Sequence, residues 1–67
     1  MYIPRQNSVA DRIMLAVPCD SRKELIAEIL FQTRHSVTRK YINSEIKRLK
    51  EACIIHEWTS GEFTLFV

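Results

Sequence analysis

Sixty-seven residues suffice for one domain with one small core, and a second core does not fit. Hydrophobic residues make up 46% of the chain and glycine occurs once, which excludes a disordered tail and a low-complexity linker. The formal net charge is only +2, yet residues 34–50 hold six basic side chains and one acidic one, against four basic and seven acidic elsewhere. That asymmetry suits a polyanion-facing surface on a mildly acidic body, although a solvated helix face produces the same count.

A chain this short buries only about 60% of the surface its unfolded form exposes, so its stability is expected to be marginal. No apolar run approaches the roughly 18 residues of a membrane span. The start, Met1 to Asn7, is soon followed by Asp11 and Arg12 and does not read as a signal peptide. Cys19 and Cys53 lie in apolar contexts and form no CxxC pair; they are expected to be small buried hydrophobes in a reducing cytoplasm, with a disulfide or redox switch as the sharper alternative. His35 and His56 lack ligand spacing to either cysteine, so no metal is expected.

Residues 1–7 read as an extended arm, since Pro4 discourages helix before it. One domain then spans residues 8–67. Ser8 and Asp11 fit a cap and a first-turn carboxylate, so a first helix runs to about Val17, burying Val9, Ile13, Met14 and Val17, and ends at Pro18. Ser21 and Glu24 fit a capping box for a second helix over about Arg22 to Gln32. Its stripe is Leu25, Ile26, Ile29 and Leu30, widened by Phe31. After a polar break, Ser36 and Thr38 compete as the next cap. Thr38 is preferred because Val37 and Ile42 then form a hydrophobic staple. The third helix extends to about Ala52, with Ile42, Ile46, Leu49 and Cys53 on one face. Lys40, Asn43, Ser44 and Lys47 stand opposite, flanked by Arg39 and Lys50.

From Ile54 the hydrophobic period changes to two, and Ser60-Gly61 supplies a two-residue hairpin turn. That turn sets Trp58 against Phe63, His56 against Leu65 and Ile54 against Val67 on the inner face. A partly buried, satisfied histidine is then expected at His56. Ile55 and Phe66 face each other outside, as an apolar patch that needs cover.

Three helices, a short polar turn between the second and third, and a terminal hairpin form an α+β chain that resembles the winged helix-turn-helix family of small bacterial, phage and plasmid transcription regulators. The resemblance spans about Ser8 to Val67. It is carried most by Ile42-Asn43-Ser44-Glu45-Ile46-Lys47-Arg48-Leu49-Lys50-Glu51-Ala52-Cys53-Ile54-Ile55, similar to the end of a recognition helix entering a wing. Ser21-Arg22-Lys23-Glu24-Leu25-Ile26-Ala27 is similar to the start of the preceding helix. Two departures stand out. Cys53 occupies the place of the family's usual glycine, so a residue that dislikes positive φ must make the turn, or the turn is made differently. The wing tip has no Arg or Lys and is flanked by Glu57 and Glu62.

The resemblance implies binding of double-stranded DNA through the major groove. Arg39, Lys40 and Asn43 would reach base edges, Arg pairing with guanine and Asn with adenine; Thr38 and Ser44 belong to the same surface. Arg34, His35 and Lys47 would hold phosphates, as would Arg22 and Lys23. Tyr2, Ile55 and Phe66 are candidate interface residues for a homodimer or a protein partner. No paired carboxylates, nucleophile with its base, or phosphate loop is recognisable, so neither catalysis nor a cofactor nor a small-molecule substrate is expected. The alternative is a protein-interaction module of the same fold, an adaptor or inhibitor that leaves DNA alone.

Overall fold

Each helix begins where a hydroxyl side chain takes up a free backbone amide. Ser8 accepts from Asp11 N at the start of α1 (Val9–Ala16), Ser21 from Glu24 N at α2 (Arg22–Gln32), and Thr38 from Tyr41 N at α3 (Arg39–Glu51). Such a cap contributes about 1 kcal/mol. The computed structural model describes residues 3–66. Two strands follow the helices, β1 (Ile55–Glu57) and β2 (Phe63–Leu65), paired antiparallel, so the chain is a small α+β domain of three helices and a terminal hairpin. None of the described helices is long and apolar enough to cross a membrane.

The core joins one face of every element. Ala10 and Ile13 of α1, Leu25, Ile29 and Leu30 of α2, and Ile42, Ile46 and Leu49 of α3 meet Val17, Ile55 and Phe63. Full burial of an aliphatic side chain contributes about 1.5–3 kcal/mol. Val9, Met14, Ile26 and Val37 pack at its margin, which agrees with the expected stripes and leaves Val37 free to staple the entry to α3. Phe31 departs from expectation. It is 78% exposed, because it lies one residue beyond Leu30 on the outer side of α2.

Both α2 and α3 end in the same hydrogen-bonded turn, and neither uses glycine for it. After α2, Arg34 N donates to Phe31 O and His35 N to Leu30 O, with Arg34 and His35 at φ 54° and 60°. After α3, Cys53 N donates to Lys50 O and Ile54 N to Leu49 O, with Cys53 at φ 58°. These are Schellman closures, which satisfy the last carbonyls and reverse the chain through a left-handed residue. Cys53 is therefore exposed rather than the fourth member of the buried face, and Glu45 takes that place at 6% exposure.

The hairpin differs by one residue from the expected register. Gly61 N donates to Trp58 O and Trp58 N to Glu62 O, closing a three-residue loop with Gly61 at φ 96°. A loop of three residues with glycine at positive φ replaces the two-residue turn. Ile55 thus pairs with Leu65, His56 with Thr64 and Glu57 with Phe63. A single-residue slip moves a strand's side chains to its other face. Ile55 is consequently buried at 1% and is not an interface residue, while His56 and Trp58 turn outward with Thr64 and Phe66. Leu65 shares the inner face but is 49% exposed near its end. Two parts of the earlier expectation, Tyr2 as an interface residue and Val67 opposite Ile54, fall outside the described residues.

One further pairing is invisible to local pattern. Cys19, between α1 and α2, exchanges two backbone hydrogen bonds with Phe63, of 3.0 and 2.9 Å. It pins β2 to the helical body and leaves Cys19 half-buried.

Candidate functional site

The outer side of α3 and the turn before it bring most of the candidate side chains into one exposed area. Arg34, His35, Thr38, Arg39, Lys40, Ser44 and Lys47 are exposed, whereas Asn43 is half-buried. The opposite face of the helix supplies Ile42, Ile46 and Leu49 at 0% exposure. Some of these groups already have structural duties. Thr38 caps the helix through Oγ1, and the Ser44 hydroxyl donates to Tyr41 O at 2.7 Å. Lys40 and Lys47 project a full positive charge with no such duty, and Arg48 is engaged with Glu45 at 3.5 Å.

A bracket of four polar residues ties this helix to its neighbours. Arg22 Nη1 donates to Asn43 Oδ1 at 2.8 Å, and Arg22 Nη2 donates to Glu57 Oε1 at 2.9 Å. Lys50 Nζ reaches the same Glu57 oxygen at 2.6 Å, and the guanidinium lies 5.5 Å from the centroid of the Phe63 ring. The start of α2, the middle and end of α3, and β1 are thereby joined. Lys50 first, and Arg22 after it, hold the Glu57 carboxyl below its ordinary range against the opposing effect of burial.

Three expectations change as a result. Arg22 is half-buried with both terminal nitrogens engaged, so it braces the domain instead of standing free for phosphate. Asn43 is half-buried and its oxygen accepts from Arg22, so it is tied to the start of α2 instead of standing free for a base. Glu57 faces the helical body and is balanced by two cations; it does not sharpen an acidic hairpin tip, where Glu62 remains exposed. Lys23 stays exposed. With Arg22, Ile26, Ala27 and Arg39 it lines a shallow cavity of about 320 Å³ where the starts of α2 and α3 meet.

Sequence reasoning missed Tyr41, 47% exposed beside Ser44 on the first turns of α3. Its position three residues before Ser44 was the available signal, since residues three apart share a helix face. It also missed the aromatic outer face of the hairpin. There His56 stands edge-on to Trp58 at 4.4 Å and to Phe66 at 5.7 Å, and Trp58 Nε1 donates to Thr64 Oγ1 at 2.9 Å. With Leu65 these residues surround an open cavity of about 550 Å³. Phe66 is thus exposed as expected, but beside Trp58 and His56 instead of Ile55.

Neither cysteine is in a disulfide, and burial raises the Cys19 thiol above its ordinary range. Among the described residues no three His, Cys, Asp or Glu side chains are placed to hold a metal ion. No protein-family model matches the chain, and no curated protein and no solved structure matches it either.

Proposed function

We propose that the chain is a winged helix-turn-helix domain that binds double-stranded DNA and serves as a small transcription regulator, with α3 as the helix that enters the major groove. The observation that carries this reading is the division of α3. Ile42, Ile46 and Leu49 anchor it in the core while Arg39, Lys40, Ser44 and Lys47 are exposed on the other side. A major groove about 12 Å wide admits a helix presented in this way. Arg39 and Lys40, in the first turn, reach toward base edges; Lys23, Arg34, His35 and Lys47 flank them as phosphate contacts. The β1–β2 hairpin is the wing, and it braces α3 from behind. One copy offers few base contacts, so specific binding takes two copies on a repeated site.

Fluorescence anisotropy on duplex DNA of random sequence tests the reading. If Lys23, Arg34 and Lys47 each neutralise one phosphate, affinity falls roughly 40-fold between about 50 and 200 mM salt. Arg39→Ala with Lys40→Ala weakens binding further. An absence of binding by the wild type at low salt ends the DNA reading.

A protein-binding role on the same fold is favoured by one separate observation. Trp58 and Phe66 are 50% and 51% exposed on the hairpin, an apolar surface on the side of the sheet away from the core, and Leu65 is 49% exposed near the strand end. If DNA is not bound, this face becomes the interaction surface, and fold alone does not choose between the two.

A further inference from the structure

Building on the DNA-binding reading, we propose that Glu57 holds Lys50 back from the basic face of α3 and so limits the sequence-independent affinity for DNA. Lys50 lies three residues after Lys47 on the same helix, about 60° round its axis, and both are exposed. By position alone it is the next cation that a DNA backbone would meet. Its ammonium is instead 2.6 Å from Glu57 Oε1.

The anchoring of the carboxylate separates this pair from an ordinary surface one. Arg22 Nη2 donates to the same oxygen at 2.9 Å, and Arg22 is itself held by Asn43 at 2.8 Å and lies 5.5 Å from the centre of the Phe63 ring. Glu57 therefore reaches Lys50 from a fixed place on β1, with 23% of its side chain exposed. A lone exposed pair contributes little, whereas two cations on one partly buried oxygen form a network that salt screens less. Both cations favour the ionised carboxyl, which stays below its ordinary range. A carboxylate oxygen accepts from an ammonium as a phosphate oxygen does, so Glu57 fills within the chain the place that a backbone phosphate would take at Lys50. Among the described residues no carboxylate pairs with Lys47, whose charge stays available. Glu57 is a positioning residue here: it contacts no DNA and acts through Lys50.

The test is anisotropy titration of the full chain on random-sequence duplex over about 50 to 200 mM salt, with Glu57→Gln, Lys50→Ala, their double variant and Glu28→Gln. Glutamine keeps the size and an acceptor oxygen of Glu57 and removes the charge. Glu57→Gln steepens the salt slope by roughly 0.9 and tightens binding on the order of tenfold at about 50 mM salt, the effect of one more phosphate contact. The double variant returns both quantities to wild type, because the released cation is gone. Lys50→Ala alone leaves the slope as it was, unlike Lys47→Ala. Glu28→Gln changes the net charge equally at an exposed position of α2 outside the bracket, and leaves the slope unchanged.

An unchanged slope in a properly folded Glu57→Gln overturns the proposal. So does a gain that survives in the double variant or appears equally in Glu28→Gln, which would belong to net charge and not to Lys50. Lys50→Ala leaves Glu57 paired with Arg22 and decides the matter even if Glu57→Gln does not fold. If it lowers the slope by the full 0.9 or so, Lys50 already meets a phosphate; the inference falls and DNA binding stands. If the wild type binds no duplex at low salt, both fall together.

Discussion

Replacing Cys53 with glycine should stabilise the fold by about 1 kcal/mol, and the figure follows from the end of α3. Cys53 sits at φ 58°, in the left-handed region. For a residue with a Cβ that conformation costs roughly 1–2 kcal/mol. Glycine removes the penalty but adds unfolded-state freedom of roughly 0.5–1 kcal/mol, leaving a net gain near 1. Little is lost in exchange, because the Cys53 side chain is exposed and its closing bonds run through backbone atoms, Cys53 N to Lys50 O and Ile54 N to Leu49 O. In a domain of this size, 1 kcal/mol corresponds to a rise in melting temperature of roughly 4–8 °C. Thermal and urea unfolding under reducing conditions measure it, with Cys53→Ala as the control. Alanine keeps the Cβ and hence the strain, so it should gain nothing. A glycine variant no more stable than the alanine one would refute the strain account.

The Glu57 bracket predicts a pH dependence with a definite sign. The folded-state carboxyl is held below its ordinary value, so its stabilisation is complete above that ordinary value and is lost as pH falls through the lower folded one. Glu57→Gln should remove this acid-sensitive component in urea titrations run at a series of pH values; an unchanged acid limb would mean the ion pairs do not matter to folding. Ile46→Ala should destabilise by about 2–5 kcal/mol by cavity formation, read from the urea midpoint, whereas Lys47→Ala should leave that midpoint within about 0.5 kcal/mol. In DNA titrations Lys47→Ala should lower the salt slope by roughly 0.9 without changing base preference. Trp58→Ser should leave DNA affinity unchanged, since the aromatic face lies across the hairpin from the helices; a loss in anisotropy titrations would place the hairpin in the DNA interface.

The caps and stripes of all three helices were legible because they are local. A hydroxyl three residues ahead of an amide, or apolar residues every three to four positions, act within one or two turns. Glu45 was missed as a core-facing residue in favour of Cys53, although it lies three residues after Ile42 and one before Ile46. Cys53 was recognised as an awkward occupant of a left-handed site, and it does adopt that conformation.

Tertiary structure alone decided the rest. Ser60-Gly61 is compatible with a loop of two residues or of three, and the two differ by a complete exchange of faces on β1. The three-residue loop is the one in which Ile55 joins Phe63 in the core while Phe63 pairs with Cys19, 44 positions earlier in the chain. No local pattern encodes a pairing over that distance. The same holds for Asn43, whose helical position was plain but whose oxygen is claimed by Arg22, 21 residues away.

The chain's own order of residues settles where its rods begin and end and which stripe of each is greasy, because those preferences act over neighbouring turns. Which polar groups are left unclaimed at the surface depends on what distant segments bring beside them. That choice is made only when the pieces close around Phe63.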